Sequence, residues 1–232
     1  MSFVTDHPIN AKWPAKNPDI LQLYSFPTPN GVKVSIMLEE TGLPYEVHKV
    51  GLSDANVRSP EFLSLNPNNK IPAILDPDGP DGAPVALFES GAILIYLAEK
   101  TGQLMGRNPV EKATVIQWLM FQMGGVGPMF GQLGYFHKFA GAEIEDPRPR
   151  DRYINEAKRL LNVVNTQLDG QDWIAGDYSI ADIALGPWLR ALDFYKAQSI
   201  VGLDDFPNVI AYLDRFLARP AVQKGLVTPP RD

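Results

Sequence analysis

The chain contains no cysteine. This excludes disulfide staples, thiolate metal sites and any catalytic thiol supplied by the protein itself. Histidine is nearly as scarce. His7, His48 and His137 are the only three, and none has a partner at metal-ligand spacing, so no metal is expected. No apolar run reaches the roughly 18 residues that a membrane span requires. Residues 1–16 mix Asp, His, Pro, Asn and Lys without an apolar stretch, so no secretory signal is read there, and the expected location is cytoplasmic. A basic surplus is missing too. The 21 Lys and Arg are outnumbered by 27 Asp and Glu, for a net charge of -6. Neither nucleic acid nor an anionic membrane is the expected partner of such a surface.

What is present is ordinary globular material: 232 residues, 45% hydrophobic and 21% charged. That is long enough for one large domain or two modest ones. Residues 1–19 read as an irregular N-terminal extension. Residues 20–25 read as a strand, and Thr28-Pro29 as the N-cap and first position of a helix running to Gly42. Residues 45–50 alternate as a second strand. Residues 58–65 form a short helix, 71–75 a third strand interrupted by Pro72, 85–88 a fourth strand, and 90–100 a helix. The order βαβ, short helix, ββα predicts a parallel pair followed by an antiparallel hairpin. Beyond Gly102 only helical periodicity remains, with helices expected over 109–139, 148–168, 180–196 and 207–218. The domains read as 20–103 and an all-helical 108–232.

Several short strings carry chemistry, each with a plainer reading beside it. The Ile71-Pro72 bond, if cis, leaves the Ile71 backbone groups facing outward for an extended peptide, whereas most X–Pro bonds are trans. Phe88-Glu89-Ser90-Gly91 stands where a strand ends and a helix begins. The Ser90 hydroxyl and the first-turn amides suit a carboxylate, and they equally suit simple N-capping by Ser90. Thr28-Pro29-Asn30 occupies the matching point after the first strand, where a helix N-terminus favours an anion and lowers a thiol pKa. It too can be only a cap. Asp76-Pro77-Asp78-Gly79-Pro80-Asp81-Gly82 resembles a calcium loop but has Pro80 and Leu87 at ligand positions, and reads as a hairpin turn. Gly124-Gly125-Val126-Gly127-Pro128, with Gly131, lacks the Lys-Ser or Lys-Thr of a phosphate loop and reads as a kink in a long helix. Ser179 and Asp182 form a shortened capping box with a structural role, and Trp173, Ile174, Ile183, Trp188 and Leu192 read as core.

Taken in order, these strings resemble a cytosolic glutathione transferase over about residues 21–220. Leu23-Tyr24-Ser25, Thr28-Pro29-Asn30-Gly31, residues 66–72 (Asn-Pro-Asn-Asn-Lys-Ile-Pro), Phe88-Glu89-Ser90-Gly91-Ala92-Ile93-Leu94 and the Gly124–Gly131 stretch are similar to the disulfide-bond oxidoreductases of the bacterial nu class. The resemblance implies an α/β thioredoxin-like N-terminal domain plus an all-α C-terminal domain. It implies a cis Pro72, Ile71 pairing with the cysteinyl backbone of glutathione, Glu89 and Ser90 at the γ-glutamyl end, Lys70 near the glycine carboxylate, and Thr28 and Asn30 facing the sulfur as the catalytic pair. Arg152, before Tyr153, matches an Arg that reaches glutathione in the family. A second-substrate pocket falls to Phe130, Gln132, Tyr135, Phe136 and His137. A family Gln after the second strand is replaced here by Val57, for which Asn56 or Arg58 can substitute.

The resemblance further implies a homodimer, with residues 1–19 packing on it as in longer members. Glutathione is the expected co-substrate, small thiols and disulfides the expected partners. Disulfide reduction is the favoured activity; conjugation of electrophiles with weak peroxidase activity, or a non-catalytic thioredoxin-like module, are the alternatives. Tyr24 and Ser25 lie within the strand rather than at its exit, so Thr28 is the hydroxyl in position. It cannot act as a base at neutral pH and can only donate a hydrogen bond to a sulfur. Since the chain has no thiol, both sulfurs of any disulfide exchange come from glutathione and substrate.

Overall fold

Leu21–Ser25 (β1) is the second strand of a four-stranded sheet whose description, like the rest of the computed structural model, extends over residues 2–231. Before it, the extension is not irregular as expected. Phe3–Asp6 (α1) is a helical turn capped by Ser2, and Pro8–Ala11 is a 3-10 turn. Val4 and Ile9 are fully buried. Their turns are too short for a periodicity to register in the sequence. Gly31–Thr41 (α2), Tyr45–Lys49 (β2), Asp54–Val57 (α3), Pro60–Leu65 (α4), Ala73–Asp76 (β3), Val85–Phe88 (β4) and Ser90–Thr101 (α5) follow. Sheet order is β2-β1-β3-β4, with β1 and β2 parallel and the other pairs antiparallel, as the βαβ and ββ pattern predicts.

Alternation along the strands divides the sheet into two faces. Tyr24, Ala73 and Leu75 join Val4, Ile9, Val50, Val57, Phe62, Leu65 and Ile71 in one apolar cluster. The N-terminal extension is part of it. Trp13 meets Phe62 edge-on at 6.1 Å and donates its indole N–H to Lys49 O at 3.1 Å. The Glu46 carboxylate accepts the amides of Lys16 at 3.0 Å and Asn17 at 2.8 Å, which lowers its pKa although burial opposes this. Leu23 and Ile74 point to the opposite face, which α2 and α5 cover.

The second unit is helical: Pro109–Phe121 (α6), Gly127–Lys138 (α7), Arg148–Gln167 (α8), Ile180–Tyr195 (α9) and Pro207–Leu217 (α10). The long helix expected over 109–139 is interrupted by a π-helical turn at Gln122–Val126. Pro128 has no amide to donate, and its ring would crowd the Gly124 carbonyl, so the widened turn relieves both. α9 is the core helix, buried at nearly every position. Its capping box forms as expected: Ser179 N donates to Asp182 Oδ2 at 2.9 Å and Ala181 N to Ser179 Oγ at 3.3 Å. Asp182 Oδ1 also accepts Ile174 N at 3.0 Å, so the box ties down the preceding loop, and burial pushes the carboxyl up to about 6. Ile174, Ile183, Trp188 and Leu192 are core; Trp173 is half-buried beneath the guanidinium groups of Arg215 and Arg219.

The expected helical domain of residues 108–232 is not what forms. The chain divides into Met1–Gln103 with Pro220–Asp232, and Leu104–Arg219. Pro220–Gly225 (α11) packs on α2 of the first unit. Ser35 Oγ donates to Gly225 O at 2.7 Å, and Lys224 pairs with Glu39 at 2.7 Å. A Cβ on Gly225 would stand 2.6 Å from Ile36 Cα, so only glycine allows this approach.

Two expected outcomes follow from this packing. A Cβ at Gly31 would lie 1.9 Å from Phe26 O and 2.7 Å from Ser25 Oγ. Gly31→Ala should therefore cost about 3 kcal/mol or more in urea unfolding. Tyr24 stacks on His48 at 4.6 Å, and its buried hydroxyl has no hydrogen-bond partner among the described residues. Tyr24→Phe should leave stability unchanged or raise it by up to about 1 kcal/mol, since it removes an unmet desolvation cost.

Candidate functional site

One row of the sheet aligns His48, Tyr24, Ala73 and Phe88. Because β1 and β4 leave the sheet at this row and β3 enters it there, three connections meet at one end. They carry Thr28 and Asn30 after β1, Ile71-Pro72 before β3, and Glu89-Ser90 after β4. Residues separated by more than sixty positions in the sequence are thereby placed side by side by the register alone.

The Ile71-Pro72 bond is cis. The ladders to both neighbours begin at Ala73, so Ile71 and Pro72 stand just outside the sheet. They are held from behind by the Asn66 turn. Asn66 Oδ1 accepts Asn68 N at 2.9 Å, and Asn66 Nδ2 donates to Lys70 O. The Lys70 side chain itself is exposed.

α2 starts at Gly31, later than expected, so Asn30 and not Thr28 stands at its N-cap position. Gly31 N donates to Thr28 Oγ1 at 3.1 Å and Val32 N to Thr28 O at 3.0 Å. The hydroxyl accepts that amide and keeps its own proton to give. Tyr24 and Ser25 are fully buried within the strand. Burial pushes the Tyr24 phenol well above its usual range, with Glu46 adding to the shift.

Ser90 is not the N-cap that the local sequence suggests. Glu89 holds that position at φ 73, ψ 112, a backbone region that costs a non-glycine residue energy and is found where function demands it. Glu89 is consequently exposed, while Ser90 is buried as the first helical residue. With α2 and α5 both starting here, two positive helix ends face the same space.

Sequence reasoning passed over Lys33. It is fully buried in α2, and its Nζ donates to Ser90 Oγ at 3.4 Å. Burial lowers its pKa to about 7, against the opposing pull of Glu89. The available signal was a lone lysine in an otherwise small and apolar helical stretch from Val32 to Leu38.

The residues proposed around the missing family Gln are otherwise engaged. Val57 belongs to the apolar cluster, Asn56 Nδ2 donates to Ser53 Oγ at 3.2 Å, and Arg58 pairs with Asp54 at 3.1 Å. In the second unit, the five residues assigned to a second-substrate pocket do not share one surface. Phe130 is fully buried and belongs to the core, because position 130 falls on the inward face of α7 with Leu133 and Gly134. Gln132 and Tyr135 are exposed, Phe136 stacks on Tyr153 at 5.4 Å, and His137 Nε2 lies 3.2 Å from Lys196 O. Arg152 lines a cleft of about 600 Å³ with Met129, Tyr153, Asn155, Glu156 and Arg159. No group of metal-ligating side chains exists among the described residues.

Comparison with known proteins agrees with this geometry. Residues 20–99 match the N-terminal domain and residues 131–220 the C-terminal domain of glutathione S-transferase. The chain is 44% identical over 210 residues to the disulfide-bond oxidoreductase YfcG of Escherichia coli, covering 90% of this chain and 95% of that protein. It is 37% identical over 217 residues to YghU of the same organism, covering 89% and 74%. A crystal structure of a glutathione transferase from Pseudomonas putida, with one glutathione disulfide bound per subunit, superposes with a TM-score of 0.96 at 61% identity, covering 99% of this chain and 100% of that one. One from Burkholderia graminis, with two glutathione molecules per subunit, gives 0.97 at 63%, covering 100% and 98%. The thioredoxin-like sheet with its cis-proline corner, the helical second unit and these matches establish that the chain belongs to the glutathione S-transferase family.

Proposed function

We propose that this protein is a glutathione-dependent disulfide-bond oxidoreductase of the nu class, acting without a thiol of its own on small disulfides. The observation that carries the reading is the state of Thr28. Its oxygen is already committed to the Gly31 amide, and its proton remains to be donated to a sulfur at the N-terminus of α2. Such a group stabilises a thiolate and cannot generate one by taking a proton. The names of the relatives support the same chemistry, as does the glutathione disulfide in the Pseudomonas putida structure.

In this reading Ser90 and the first amides of α5 hold the γ-glutamyl carboxylate, and Glu89 holds its ammonium. The Ile71 backbone pairs with the cysteinyl segment. Thr28, Asn30 and the α2 dipole lower the thiol pKa. The bound thiolate attacks one sulfur of the substrate disulfide. A glutathione mixed disulfide forms and the other sulfur leaves as a thiolate. A second glutathione thiolate then attacks the glutathionyl sulfur, releasing the remaining substrate thiolate and glutathione disulfide. The protein contributes alignment and electrostatic stabilisation. A cytoplasmic homodimer completes the proposal.

The test compares glutathione-driven reduction of 2-hydroxyethyl disulfide with conjugation of 1-chloro-2,4-dinitrobenzene. Strong reduction with little conjugation is expected, and the reverse makes this an ordinary conjugating transferase. Glutathione binding with neither activity points to a regulatory module. Prior treatment with iodoacetamide, removed before assay, should leave the rate unchanged. Asn30→Ala should lower the reductase kcat about tenfold or more while changing the glutathione Kd by less than about threefold. Equal losses in both would remove Asn30 from the chemical step.

A further inference from the structure

Asn66, in the turn before Ile71, makes four hydrogen bonds. Its N–H donates to Phe62 O at 2.9 Å and so ends α4. Its C=O accepts Asn69 N at 3.0 Å, and its Oδ1 accepts Asn68 N at 2.9 Å. These three bonds lie within residues 62–69 and close the turn. An aspartate would make all of them, because none uses a side-chain proton. The fourth bond needs the amide. Asn66 Nδ2 donates to Lys70 O, in the peptide that leads into Ile71. A donor faces one end of the amide and an acceptor the other, so its orientation is fixed. Asn66 is 2% exposed, and water does not compete for either end.

A peptide plane held at its carbonyl is held at its N–H. The Lys70–Ile71 bond is trans, so the Ile71 N–H points opposite to Lys70 O and away from Asn66. The Ile71 side chain is anchored as well, in the apolar cluster that contains Phe62 and Leu65 of α4. One short helix thus holds Ile71 by its side chain and, through Asn66, turns the peptide before it. The fold makes no use of the N–H so aimed. The sheet ladders begin at Ala73, and among the described residues no turn or loop bond takes the Ile71 N–H.

We propose that Asn66 is a positioning residue for glutathione, which by holding Lys70 O presents the Ile71 N–H to the carbonyl of the cysteinyl segment. The inference rests on the glutathione reading above. Asn66 touches neither the ligand nor the sulfur and acts through one peptide plane. An N–H that is already aimed loses little orientational freedom when the ligand arrives. Without the bond from Asn66 the plane can rotate, and that freedom must be lost on binding. Thr28 and Asn30 align the sulfur from another corner, so the loss falls on the complex rather than on the chemical step.

Asn66→Asp tests this, because it keeps the acceptor for Asn68 N and replaces the donor to Lys70 O with a second acceptor. Calorimetric titration with S-methylglutathione should give a Kd about tenfold above that of the wild type. In disulfide reduction the glutathione KM should rise by a similar factor while kcat stays within about threefold. An Asn66→Asp protein that unfolds cooperatively on heating yet binds S-methylglutathione within about twofold of the wild type would overturn the role of Asn66. So would a fall in kcat with KM unchanged. Amide exchange in the wild type, read by NMR, decides independently of how the variant folds. In the free protein the Asn66 side-chain amide should be protected and the Ile71 N–H should exchange freely, slowing about tenfold or more once S-methylglutathione is bound. An Ile71 N–H already protected in the free protein, or left unslowed by the ligand, would overturn the inference. Failure of the wild type to bind S-methylglutathione at all would instead overturn the glutathione reading, and this inference with it.

Discussion

The sheet register is the constraint on which the first unit depends. The row His48, Tyr24, Ala73, Phe88 sets where β1 and β4 end and where β3 begins. A slip of one residue in β3 would turn Ala73 and Leu75 out of the apolar cluster and bring Ile74 into it. It would also carry Ile71-Pro72 away from the β1–α2 and β4–α5 corners. The packing of both sheet faces therefore enforces the alignment of the site.

Onto that frame the helix starts add the electrostatics. α2 and α5 both begin at this end, one with its first amide held by Thr28 Oγ1 and the other entered through Glu89 at positive φ. Their amides and dipoles favour negative charge, which suits both a carboxylate and a thiolate. In a chain without cysteine, field and alignment are what the protein can offer to disulfide exchange. A hydroxyl that is already an acceptor, as in Thr28, fits this division of labour, because it has a proton to give and no means to remove one.

The two ends of the chain serve the same first unit. The N-terminal turns bury Val4 and Ile9 on one face of the sheet, and α11 closes over α2 on the other side. α2 is consequently enclosed by α5, α11 and β1, which is why a charged residue within it is so far from water. Lys33 is thus a product of the whole unit, since its environment is built from segments nearly the full length of the chain apart.

Much of this was legible in the residues. The capping box at Ser179 and Asp182, the helix stop at Gly42, and the order of strands and helices all arise from hydrogen bonds a few residues apart, so a one-dimensional reading finds them. The absence of cysteine likewise limits the chemistry without any fold. Other features depend on what approaches from elsewhere. Phe130 looked like a pocket aromatic and is core; Ser90 looked like a cap and is a buried first-turn hydroxyl; residues 220–225 looked like the end of a helical domain and pack on the sheet-bearing unit. For Lys33 the helix offered only its apolar neighbours as a hint, because the enclosure itself comes from α5 and α11. Local bonding decided which elements form, and burial, which sums contributions from distant segments, decided which of their side chains carry chemistry.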